Sequence, residues 1–238
     1  MIDKAQPLVE HLAELRRRVI WAAIAVFVGI VGFFSFSQPI FNYLMSTAEQ
    51  GHVILVQHTY SEAFMTQFRL SIIGGIIIAF PFVLYQLVAF VLPALRPSER
   101  RILYIGLPMA TGLFLVGWAF GWFVVVPITR NFFLGTSTQA HIQNQITPQN
   151  YLDFIMGLCN PLGIVFELPL VVMILARIGF VTASFLRRVR KYAILVLLIV
   201  AAILSPPDVI SMMIFFVPLY ALYEVSIVMA QFARKKRA

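Results

Sequence analysis

Long stretches free of Asp, Glu, Lys and Arg dominate the chain, and their lengths set its architecture. A helix rising 1.5 Å per residue needs ~20 predominantly apolar residues to cross ~30 Å of hydrocarbon. Six runs are candidates: residues 19–38, 70–95, 102–129, 154–176, 192–204 and 209–233. The pattern predicts an all-α integral membrane protein, one domain over residues 1–238 with six transmembrane helices. Pro81 and Pro93 fall in the second run, and Pro161 and Pro169 in the fourth, so kinks are expected there. The fifth run is short, thirteen residues from Tyr192 to Leu204 before Ser205-Pro206-Pro207-Asp208. At 1.5 Å per residue it reaches only ~20 Å, so helices five and six read as a shortened hairpin that thins the membrane locally. Residues 39–68 and 130–153, rich in Gln, Asn, Ser, Thr and Pro, read as ordered caps between spans.

Composition agrees with this layout: 61% of residues are hydrophobic and 12% charged, against ~45–50% and ~25% in soluble domains. The formal net charge of +8 could suggest a nucleic-acid partner, but its distribution says otherwise. Sixteen of the eighteen basic residues fall before the first run, after the second and fourth, and after the sixth; only Arg69 and Arg130 lie in the alternate segments. By the positive-inside rule both termini and those two loops are cytoplasmic. No nucleic acid is implied. A single cysteine, Cys159, excludes an intrachain disulfide, and the four histidines form no metal-ligand spacing with it, so neither metal nor cofactor is expected. There is no P-loop, HExxH or GxSxG pattern, and the chain reads as a non-enzyme. Any work it does must draw on binding energy or on the membrane potential, ~2.3 kcal/mol per charge per 100 mV.

The scarce acids are the informative residues. Before the first span, His11-Leu-Ala-Glu14-Leu-Arg16-Arg17-Arg18 has Leu8, Leu12 and Leu15 on one helical face, an amphipathic interfacial start. Glu14 admits a plain role, pairing with Arg17 or Arg18, both within about one turn. Glu99, in the loop after the second span, also reads as a helix-start acid favoured by the dipole. Two carboxylates at one membrane face among arginines equally form a site for a ligand's guanidinium groups, which carboxylates accept bidentately. Glu167 lies within the fourth run, where an ionised acid costs several kcal/mol unless hydrated, protonated or paired. It reads as a functional group, or as a protonated acid bonded to a carbonyl freed by Pro169. Glu224 lies near the cytoplasmic boundary and is able to snorkel to water.

Four motifs in order resemble one family. These are the His11 to Arg18 segment, Phe90-Val-Leu-Pro93-Ala-Leu-Arg96-Pro97-Ser98-Glu99-Arg100, Phe166-Glu167-Leu168-Pro169, and Ser205-Pro206-Pro207-Asp208. Together, over about residues 6–232, the chain resembles TatC, the multi-spanning receptor of the twin-arginine protein translocase. The resemblance implies a receptor that binds twin-arginine signal peptides of folded cargo at the cytoplasmic face. It also implies assembly with TatA- and TatB-type single-span subunits and other copies of itself in the lipid bilayer, with transport driven by the proton-motive force and a glove-shaped concave bundle. Glu14 and Glu99 would meet the two signal arginines, with Arg16, Phe90, Pro93 and Arg100 shaping that surface. Pro81 resembles a structural proline of the family, and Glu167, Ser205 and Asp208 would form intramembrane polar sites for partners. Where some members carry a glutamine four residues after the aspartate, this chain has Met212.

The competing reading is a proton-coupled solute carrier using Glu167 as its proton site. Carriers of that kind are usually built from repeats with a midplane pocket, and the two halves of this sequence share neither charge nor proline positions. The mixed N-terminal segment resembles neither a cleavable signal nor a transit peptide, which points to a bacterial inner membrane.

Overall fold

The computed structural model describes residues 8–50, 53–91, 97–139, 145–205 and 208–233. Its elements are α1 (Leu8–Gln50), β1 (Ile54–Leu55), α2 (Glu62–Val91), α3 (Pro97–Phe120), a π-helical turn (Gly121–Val125), α4 (Val126–Gln139), β2 (Gln145–Ile146), α5 (Pro148–Val165), α6 (Leu168–Ile178), α7 (Ala183–Leu204) and α8 (Val209–Ala233). Among the described residues, five helical stretches are long and apolar enough to cross a membrane: 10–49, 62–90, 106–135, 148–177 and 209–232. The remaining helix, α7, opens with Arg187, Arg188, Arg190 and Lys191, so its apolar part is the short run from Tyr192.

The helices outrun the apolar stretches that reveal them. Much of the two segments expected as caps is helical, since α1 runs on to Gln50, α4 to Gln139, and α5 starts at Pro148. The cause is simple: charge-free length marks the hydrocarbon layer, whereas a helix continues into water wherever its backbone bonds stay closed. Proline behaves as its position dictates. Pro81 and Pro161 lie inside α2 and α5. Pro169 instead sits at the start of α6, where its missing N–H is no loss.

The chain forms two compact units. The first, residues 1–108 with 147–149, holds α1, β1, α2 and the first part of α3. Here α1 and α2 approach closely through small residues: a Cβ built on Gly29 would lie 2.6 Å from the Gly75 carbonyl oxygen, and one on Gly74 would enter the Phe33 ring. Without a hydrophobic drive between helices in lipid, such close backbone contact is what holds them. A buried polar link adds to it, Gln67 Nε2 donating to Ser37 Oγ at 2.9 Å.

The second unit, residues 109–146 and 150–238, holds the rest of α3, the π turn, α4, β2 and α5 to α8. Gly117 and Gly121 face α5, where added Cβ atoms would meet the Leu162 carbonyl and the Cys159 backbone; Gly163 faces Phe114 in return. Trp118 Nε1 donates to Asn160 Oδ1 at 3.2 Å across the same contact. Helices α6, α7 and α8 share a core of Ala176, Leu186, Ile227 and Ala230, with Val172, Val181, Ala183 and Tyr223 packed on it. The Tyr223 hydroxyl donates to the Leu186 carbonyl at 2.7 Å. Between α6 and α7, Gly179 takes a left-handed φ of 96°, closing α6, and Thr182 Oγ1 caps α7 by accepting from Phe185 N–H.

Candidate functional site

The first site forms where the start of α1 meets the end of α2. Leu12 and Leu15 leave their apolar face uncovered, while Glu14 and Arg18, one turn apart, share the other side of the helix. Arg18 gives two N–H groups to one carboxylate oxygen, Oε1, at 2.9 Å from Nε and 2.5 Å from Nη2. Its Nη1 lies 3.5 Å from Gln86 Oε1, a long contact that reaches α2. The second carboxylate oxygen, Oε2, faces His11 Nδ1 at 4.0 Å. The His11 ring is in turn stacked on Phe90, with centroids 4.3 Å apart and planes 17° from parallel. Glu14 and Arg18 keep 23% and 25% side-chain exposure, so this carboxylate is already holding a guanidinium yet is open to a ligand.

The structure therefore places Glu14 and Phe90 around one neighbour, His11, and realises the arginine pairing that sequence spacing allowed. Arg16 projects exposed. Glu99 and Arg100 lie in the first turn of α3, in the same compact unit, but their side chains lie outside the described residues. Pro93 lies wholly outside them. Pro81 is partly buried in α2. Sequence reasoning missed Gln86, although a lone amide inside an apolar run was a visible signal.

A second polar position is the break between α5 and α6. The turn at Phe166 and Glu167 interrupts what would be one span, with Glu167 N–H donating to Ile164 O and Glu167 O accepting from Val171 N–H. Glu167 is the residue preceding α6, ten residues before Arg177, about 15 Å at 1.5 Å per residue along a helix. Its Oε1 is buried with no hydrogen-bond partner among the described residues. Phe166 packs on Phe120 with ring centroids 5.6 Å apart.

The third is the α7–α8 turn. Ser205 ends α7, its N–H bonded to Ala201 O, and Asp208 starts α8 as an N-cap, Oδ1 accepting from Ser211 N–H at 2.7 Å. Ser205 Oγ, Asp208 Oδ2 and Ser211 Oγ are buried without hydrogen-bond partners among the described residues. Met212 sits one turn on, its N–H bonded to Asp208 O. Glu224, by contrast, has a partner on α7: Arg190 Nη2 donates to its Oε2 at 2.9 Å.

These features define a multi-span membrane protein whose polar groups gather at a helix start, a helix break and a tight turn. The family model for Sec-independent protein translocase protein (TatC) matches residues 10–218, and the chain belongs to that family. It is 39% identical over 237 residues to a protein of Carboxydothermus hydrogenoformans named Sec-independent protein translocase protein TatC, covering 99% of this chain and 97% of that one. It is 35% identical over 229 residues to the TatCy protein of Bacillus subtilis, covering 96% and 90%. A crystal structure titled as the twin arginine translocase receptor TatC superposes with a TM-score of 0.83 at 33% identity, covering 94% of this chain and 100% of that one. The chain is thus a translocase membrane component, a protein of protein transport.

Proposed function

We propose that this protein is the receptor and core subunit of a twin-arginine translocase, binding twin-arginine signal peptides of folded proteins at the cytoplasmic face. Glu14 and Glu99 accept the two signal arginines, with Phe90, Pro93, Arg16 and Arg100 shaping the surface around them. The observation that supports this most directly is the Glu14 carboxylate itself, whose Oε1 already accepts two N–H groups of a guanidinium while Oε2 has only the 4.0 Å approach of His11. Glu99 belongs to the same compact unit. The distribution of basic residues supports a topology with both termini in the cytoplasm. In this reading the protein lies in a bacterial inner membrane, with residues 1–238 acting as one six-helix membrane domain. Glu167, Ser205 and Asp208 serve assembly with TatA- and TatB-type single-span subunits and other copies of the chain, and the proton-motive force drives transport. The unpartnered buried oxygens at these three residues support that role, because a buried acceptor or hydroxyl left open is costly until something fills it. No catalytic step and no cofactor enters this reading.

Site-specific crosslinking to a twin-arginine peptide tests it. Glu14→Gln and Glu99→Gln should each weaken capture while expression and membrane insertion stay intact. Unchanged crosslinking of both variants refutes the assignment.

A further inference from the structure

The guanidinium on Glu14 belongs to the protein. Arg18 puts two N–H groups on Oε1 of Glu14, Oε2 has only the 4.0 Å approach of His11, and Arg18 Nη1 lies 3.5 Å from Gln86 Oε1 on α2. An external cation therefore meets a carboxylate whose single charge is already paired, and it engages Glu14 fully only by exchanging with an internal guanidinium. We propose that Arg18 is a built-in competitor of the signal arginine, an autoinhibitory contact that occupies Glu14 at rest and sets how strong a ligand must be to engage the receptor. This rests on the reading of Glu14 as the acceptor of a signal arginine.

The geometry suits reversible exchange. Arg18 sits on the same helix, one turn from Glu14, so release needs only a change of its own side-chain rotamer and no movement of a helix. Both groups keep about a quarter of their surface exposed, so the freed guanidinium has water to enter. Arg16 and Arg17 are exposed, and no hydrogen bond joins either of them to Glu14 among the described residues, which makes Arg18 the specific occupant.

The consequence follows from linkage. If only the fraction of receptors with Glu14 free is competent, the apparent Kd of every ligand that needs Glu14 rises by the same factor. Removing the competitor should then tighten a twin-arginine peptide and its twin-lysine version in parallel, leaving their ratio unchanged. The factor expected is about two- to tenfold, between the weak helix-surface pair and a charge-assisted hydrogen bond. Arg18 in this reading lowers all affinities together, and weak ligands fall out of the useful range.

The test uses the full-length protein in lipid nanodiscs and fluorescent twin-arginine and twin-lysine signal peptides, with Kd measured at two salt concentrations. Arg18→Gln should tighten both peptides about two- to tenfold, and Arg18→Lys, which keeps charge but loses the fork, should fall between it and the wild type. In a Glu14→Gln background Arg18→Gln should give no gain, the non-additivity expected of residues in direct contact. Arg17→Gln makes the same charge change without the contact, and should give a smaller, salt-screened effect. Unchanged or weaker binding in Arg18→Gln, with Glu14→Gln still impaired, overturns the competitor while leaving Glu14 as acceptor. Equal tightening by Arg17→Gln overturns it as mere charge. Wild-type binding by Glu14→Gln removes the underlying reading itself.

Discussion

Replacing Gly29 by alanine probes how α1 and α2 are held together. The added Cβ would lie 2.6 Å from the Gly75 carbonyl oxygen and 3.3 Å from its carbon, both rigid backbone atoms. Restoring ordinary contact at 3.4 Å requires the helices to separate locally by about 0.8 Å. That displacement loosens the neighbouring small-residue contacts, including Gly74 against Phe33. Overpacking of this kind costs ~1–3 kcal/mol. At ~2–4 °C per kcal/mol for a chain of this size, a middle value of ~2 kcal/mol lowers Tm by ~4–8 °C. Gly32, one turn on in α1, is the control, because a Cβ there meets nothing within 4 Å. Thermal unfolding in detergent should show Gly29→Ala well below wild type and Gly32→Ala at or slightly above it. Equal Tm values for the two variants would refute the view that backbone proximity, rather than helix propensity, carries this interface.

Further predictions concern the polar sites. Glu167→Ala should leave twin-arginine peptide binding at the wild-type level and reduce co-purification of single-span partners; loss of peptide binding instead would show the acid to be misplaced in the mechanism. Asp208→Ala removes the N-cap of α8 and should cost ~1 kcal/mol, read as a Tm drop of ~2–4 °C. Asp208→Asn keeps the cap acceptor and should hold Tm, so any partner loss in that variant separates assembly from folding.

Apolar run lengths were enough to locate the membrane helices because the bilayer demands them, but they carried no information on where helices continue beyond it. The extension of α1 to Gln50 and of α4 to Gln139 rests on polar residues that satisfy helix and loop equally well. The short apolar part of α7 was legible from one feature, the Ser205-Pro206-Pro207-Asp208 stop. The break at Phe166 and Glu167 was only half legible: Pro169 announced a disturbance, but its place as the second residue of α6 depends on where the new helix starts. At the Glu14 site, spacing allowed a partner at Arg17 or Arg18 and could not choose between them. The choice of Arg18 brings in Gln86, 68 residues away, and the stacking of His11 on Phe90, contacts between α1 and α2 that no local pattern encodes.

The central claim is that this protein reads paired guanidinium groups through carboxylates. Its most direct test is retention of signal peptide by the purified protein in lipid, comparing a twin-arginine sequence with the same peptide carrying twin lysine. Lysine offers a point charge where arginine offers a planar fork, so the account predicts retention of the first, release of the second, and loss of that difference in Glu14→Gln. Equal retention of both peptides by the wild-type protein would contradict it.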